Sequence, residues 1–93
     1  MVERFLYLVT ADKSRRSGQW SPDDYDVRDG ATDGPVVGRI YLSPARQQDP
    51  WFWGLTVFPA SAADSGFAGT REEAMAKLKA RWIHRKQSEY GTV

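Results

Sequence analysis

Acid–base chemistry near neutral pH calls first for histidine, and this chain of 93 residues holds one, His84, beside Arg85. An adjacent arginine disfavours the imidazolium, and no neighbouring carboxylate is evident to orient the ring. A solvent-facing side chain near the end of a helix accounts for His84 better than a catalyst does. Cysteine is absent, and no Gly-x-Ser-x-Gly elbow occurs. Thiolate zinc sites, cysteine nucleophiles and the serine-hydrolase constellation therefore have no residues to draw on. The chain reads as non-enzymatic, with no cofactor and no small-molecule substrate indicated.

Asp23, Asp24, Asp26, Asp29 and Asp33 crowd into one stretch, and Asp24-Tyr-Asp-Val-Arg-Asp-Gly30 superficially has the look of a calcium loop. Such a loop sets acidic ligands at alternate positions ahead of its glycine and a bidentate Glu roughly six residues later. Here Asp29 falls one position late and residue 36 is Val. A solvated strand face followed by an Asp-Gly turn is the expectation, with no metal. Gly30, Gly34 and Gly38 are spread over a turn and a strand rather than opening a helix, so they form no phosphate cradle.

What remains is aromatic. Four Trp, four Tyr and four Phe stand in a short chain. The run Trp51-Phe-Trp-Gly-Leu-Thr-Val-Phe58 puts Trp51, Trp53, Leu55 and Val57 on one side of a strand and Phe52, Thr56 and Phe58 on the other. In Val36-Val-Gly-Arg-Ile-Tyr-Leu42, alternation separates Ile40 and Leu42 from Arg39 and Tyr41. A small sheet with one helix on it has more large apolar groups than one covered face can take. The second face is then closed by the N-terminal segment and the Phe67 loop, by a second copy, or by a ligand. Trp51, Phe52, Tyr41 and Arg39 are the candidate contact residues for a protein partner or a homodimer. The runner-up is a nucleic-acid contact through the same face and Lys77, Lys79, Arg81 and Arg85.

The elements that must position these residues follow in order. Strands at 36–42 and 51–58 pair antiparallel across the proline-containing loop 43–50, and a third strand precedes them, running from about Trp20 or Tyr25 to Arg28 with Pro22 limiting how far back it extends. Arg4–Thr10 is a possible fourth, at an edge. Thr70-Arg-Glu-Glu73 is a capping box that opens a C-terminal helix, in which Thr70 accepts from the Glu73 amide and Glu73 reaches back. Ala74, Leu78 and Trp82, with Met75 beside them, form its apolar stripe and leave Lys77, Lys79, Arg81 and Arg85 mainly outward. The expected fold is α+β: a three-stranded antiparallel meander, four-stranded if the N-terminal run pairs, packed on one helix. Residues 59–69 read as a small-residue loop.

At this length one core is affordable, so residues 1–93 form one domain, with 1–19 and 88–93 loosely ordered. The net charge of +1 excludes a strongly cationic nucleic-acid binder by bulk charge, and an acidic middle lies between two basic ends. The apolar run from Phe5 to Val9 is shorter than a signal-peptide core, roughly 7 residues at least, and far short of a membrane span of roughly 20. A cytoplasmic protein is expected.

Trp20, Asp24-Tyr-Asp-Val27, Val37-Gly-Arg-Ile-Tyr41, Pro50-Trp-Phe-Trp-Gly54 and Gly66-Phe-Ala-Gly-Thr-Arg-Glu-Glu-Ala-Met75 together resemble a family of small uncharacterised bacterial proteins, chiefly alphaproteobacterial. The resemblance implies no function. In layout, three antiparallel strands and a helix opening on Thr-x-Glu-Glu-Ala are also similar to plant ethylene-response-type and integrase N-terminal DNA-binding domains. Those domains set Arg and Trp from the sheet into the major groove. Arg39 and a strand Trp are present here, and the repeated strand arginines are not. A similar helix opening occurs in Hic-type antitoxins, where a capping box is a common way to start a helix.

Overall fold

The computed structural model describes residues 5–15, 18, 20–56 and 61–90, with side chains of the last helix described as far as residue 86. Five strands form one antiparallel sheet in sequence order: β1 (Leu6–Thr10), β2 (Asp24–Asp29), β3 (Val36–Leu42), β4 (Trp51–Leu55) and β5 (Ser65–Ala68). A one-turn helix, α1 (Ala11–Ser14), follows β1, and the long α2 (Arg71–Tyr90) closes the chain. The class is α+β with an antiparallel sheet and one C-terminal helix, as the sequence predicts, but with two strands beyond the expected three.

β1 is the edge strand anticipated at Arg4–Thr10, its described part beginning at Leu6. The other addition, β5, lies in the stretch read as a loop. Gly66 is the reason it reads as a loop and also the reason it pairs. It sits opposite Trp53, and a β-carbon there would stand 3.1 to 3.3 Å from the indole. A small residue lets the tryptophan lie across the neighbouring strand. The expected continuation of β4 to Phe58 lies outside the described residues. Of the ends expected to be loose, 6–14 form β1 and α1, α2 runs on through residue 90, and 91–93 lie outside the described residues.

Register decides which face carries the core. Ile40 pairs with Trp53, Leu42 with Trp51, Gly38 with Leu55, and Val27 with Leu8, so these side chains share one face. The apolar stripe of α2 packs there: Val27, Ile40, Trp53, Ala68, Ala74, Leu78 and Trp82 are buried, with Leu6, Leu8, Trp51, Leu55 and Met75 against them. At Gly38 the helix approaches so closely that a β-carbon would lie 2.8 Å from both Leu78 Cδ1 and the Gly54 carbonyl oxygen. A register shift between Val27 and Arg28 leaves Val37 as the unmatched residue of β3, and its side chain is buried in the same core.

The helix begins as expected, with Thr70 Oγ1 accepting from the Glu73 amide at 3.0 Å. Glu73 reaches back one residue further than a capping box requires, accepting from the Gly69 amide at 2.8 Å. Arg71, in the first turn, donates to the Tyr25 hydroxyl at 2.9 Å and ties the start of α2 to β2.

Of the first covering considered, the described residues show a part: the turn after β1 and Phe67 lie on the second face, whereas Leu6 and Leu8 do not. Leu6 and Leu8 point to the helix side and join the core, because β1 adds at the sheet edge in register with β2.

Candidate functional site

The face away from α2, here the far face, follows from the same pairings. Tyr41 pairs with Phe52 and Phe52 with Phe67 in one row; Asp26 pairs with Arg39 and Arg39 with Gly54 in the next. Tyr41 and Phe52 stack with centroids 4.8 Å apart and planes inclined by 28°, and Phe67 meets Phe52 edge-on at 5.6 Å. A stack whose repeat equals the separation of neighbouring strands, about 4.8 Å, has its axis along the sheet. The Tyr41 and Phe52 rings therefore stand upright and turn their edges to solvent.

Guanidinium groups bound the row at both ends. Arg39 lies over the Tyr41 ring at 4.5 Å, and Arg46, from the loop after β3, lies over Phe67 at 3.7 Å. Arg39 is anchored to Asp24 on β2 by bonds of 3.0 and 2.7 Å, so Tyr41 is held between that guanidinium on the β2 side and Phe52 on the β4 side. Gly54 makes room for the row: a β-carbon there would meet Phe52 Cζ at 2.9 Å.

Next to the aromatic row lies an ionic one. α1 folds onto the far face and delivers Ser14 and Arg15 to β2. Ser14 Oγ donates to Asp26 at 2.7 Å, Arg15 Nη2 donates to Asp26 at 2.6 Å, and Arg15 also bonds Asp24 at 3.4 Å. Arg28 donates to Ser14 Oγ and to the carbonyls of Ser14 and Gly34. Arg15 in turn lies over the Trp20 ring at 4.3 Å. The expectation of a solvated aspartate face is overturned here. Asp24, Asp26 and Asp29 are buried, because arginines from β3 and from the segment after α1 cover the first two. Burial pushes the Asp26 carboxyl up, but the hydrogen bonds from Arg15 and Ser14 outweigh it and hold Asp26 below its ordinary value. Their hydrogen bonds to the aspartates hold the Arg15 and Arg39 guanidiniums above theirs.

The helix arginines have a different partner. Ser61, Ala62, Ala63 and Asp64 form a capped 3-10 turn in which Asp64 Oδ2 accepts from the Ser61 amide. Asp64 is 3% exposed and takes Arg81 Nε at 2.7 Å and Arg85 Nη1 at 2.6 Å. Burial raises its carboxyl, and these contacts more than reverse that, leaving it below the usual range. Arg81 and Arg85 thus do not point outward as the helical stripe suggested. They fold over the turn that leads into β5.

Of the eight residues singled out from sequence, Arg39, Tyr41 and Phe52 come together on the far face. Trp51 does not. It pairs with Leu42 and Ala68 on the helix side and packs against the core. Lys77 is exposed, and its amine reaches the Phe67 carbonyl at 3.3 Å and Glu73 at 3.9 Å. Lys79 is half-buried. Sequence reasoning set the Phe67 loop against the second face but not Phe67 among the candidate contact residues, and it missed Arg46 and Arg15. Asp24 and Asp26 facing Arg39 across two strands were the one available signal.

His84 is exposed, and among the described residues no three His, Asp or Glu side chains converge as metal ligands would. No described helix is long and apolar enough to cross a membrane. Compared with protein-family models, curated proteins and solved structures, the chain finds no match.

Proposed function

We propose that this domain is a non-catalytic binding module that docks another protein on the far face of its sheet. One observation carries the reading: Tyr41, Phe52 and Phe67 form a continuous aromatic row on a face that α2 leaves uncovered. Phe67 is exposed and Tyr41 and Phe52 are half-buried; apolar surface rimmed by polar groups marks interaction sites, and aromatic rings with arginine are the side chains that dominate their energetics. A cysteine-free chain suits a reducing compartment, which favours a cytoplasmic setting.

Self-association through this face has weaker support. A two-fold contact places a patch against its own copy, and here that brings arginines onto arginines. Nucleic acid has weaker support still. Arg81 and Arg85 are committed to Asp64, and Lys77 and Lys79 belong to the helix layer, away from Tyr41 and Arg39. Single-stranded bases also stack on open ring faces, whereas the Tyr41 and Phe52 rings stand on edge with their faces turned to neighbours.

The test compares the wild-type chain with Phe52→Ala in affinity enrichment from an extract of the source cells, with light scattering on both. The expected result is a monomer that retains a protein the variant loses. A partner held equally by both chains sinks the reading, and a dimer that dissolves on Phe52→Ala transfers it to self-association.

A further inference from the structure

We infer that the far face takes an acidic peptide segment of its partner, laid across β3, β4 and β5 with carboxylates at both ends of the aromatic row. The inference rests on the protein-binding reading and adds the chemistry of the ligand.

Charge is the first argument. The far face gathers Arg15, Arg28, Arg39 and Arg46 against Asp24 and Asp26, and the two layers differ in depth. The Asp24 side chain is 8% exposed beneath an Arg39 that is 41% exposed, so an approaching molecule meets guanidinium first. Arg28 and Arg46 make no ion pair among the described residues. Arg28 rests on Ser14 and the Gly34 carbonyl, Arg46 on the Asp49 carbonyl and the Phe67 ring. Asp49, the nearest carboxylate along that loop, stands against Gly69 instead.

The rings add to this. An aromatic ring is negative on its face and positive at its edge, and the Tyr41 and Phe52 edges are what solvent sees. Ring edges and guanidiniums together make a surface that is apolar in body and positive in sign. A segment alternating acidic and apolar side chains complements both properties.

Size selects a peptide over a globular surface. From Arg39 to Arg46 the row runs on the order of 15 to 20 Å, given its strand-by-strand spacing. A stable contact between folded domains needs about 800 Å² on each side, and a strip three rings long falls well short. An extended chain at roughly 3.3 Å per residue covers the row in about five or six residues. The ligand therefore carries two acidic positions about that far apart, with apolar residues between them.

A phage-displayed random peptide library panned on the immobilised 93-residue chain tests this, with the best peptide then titrated against the wild type, Arg46→Gln and Phe52→Ala. Arg46 makes no ion pair among the described residues, and its hydrogen bond to the Asp49 carbonyl is solvent-exposed, so circular dichroism and thermal midpoint of Arg46→Gln should match the wild type. The expected peptides carry acidic residues flanking an apolar centre. Their affinity falls about tenfold in Arg46→Gln and weakens with added salt. Peptides without acidic residues, or an affinity indifferent to Arg46→Gln, overturn the acidic ligand while dependence on Phe52 keeps the face. Binding indifferent to Phe52→Ala overturns both. Failure to enrich any peptide, or displacement of the peptide by a single-stranded oligonucleotide, also overturns the inference.

Discussion

Asp64 and Asp26 are buried carboxylates whose charge is stabilised by arginines from distant parts of the chain. Both are held below the ordinary carboxylate value, so the folded state binds protons less readily than the unfolded one. Their contribution is fully present above the unfolded value, about pH 4, and is lost as pH falls through the lower folded values. Urea midpoints should be level from neutral pH down to about 5 and drop below about 4. In Asp64→Asn the stability should already be lower at pH 7, by about 1.5 to 3 kcal/mol for bonds to charged groups, and the acid decline should be shallower. An acid decline as steep as the wild type's in that variant would contradict the role given to Asp64. The Asp64 site was half-legible in the sequence. Ser61-Ala-Ala-Asp64 has the spacing of a cap, and Arg81 and Arg85 stand one helical turn apart. What no local pattern supplies is that the two meet, because 17 residues separate Asp64 from Arg81.

At the scale of elements, β3 and β4 were readable because β-branched and aromatic residues alternate in them, and α2 because its cap and stripe agree. β5 was not. Ser65, Gly66 and Ala68 carry no strand propensity, and only the need to seat the Trp53 indole makes Gly66 useful in a sheet. The face assignment was also hidden, since alternation fixes which residues share a side but not which side meets the helix. The contact between α2 and β3 rests on Gly38. Gly38→Ala places a methyl group 2.8 Å from Leu78 and from backbone, and overpacking of this kind costs about 1 to 3 kcal/mol. A lowered thermal midpoint with the helical circular dichroism intact below it is the expected outcome. Trp82→Ala, which empties the anchor of the stripe, should cost more, about 3 to 5 kcal/mol.

For the molecule as a whole, the two sides of the sheet differ in chemistry. Its helix side holds the core, and its far side carries the aromatic row beside the arginine–aspartate pairs. Neighbouring positions on β4 make the division testable, since Trp53 and Phe52 point to opposite sides. Trp53→Ala should cost about 3 to 5 kcal/mol, while Phe52→Ala, on the side away from the core, should cost clearly less and abolish partner binding. Equal losses in denaturant midpoint would mean that the far face is structural. That the two faces differ in chemistry was legible in Tyr41, Arg39 and Phe52. Its full extent was not, because Phe67 came from the unread strand and Arg46 from a loop. The most direct measurement is the aromatic-proton NMR spectrum of the chain with and without a captured partner. The Tyr41, Phe52 and Phe67 ring signals should shift while the Trp53 and Trp82 indole signals hold still. Shifts at Trp82 and Lys77 with the far-face rings unmoved would contradict it.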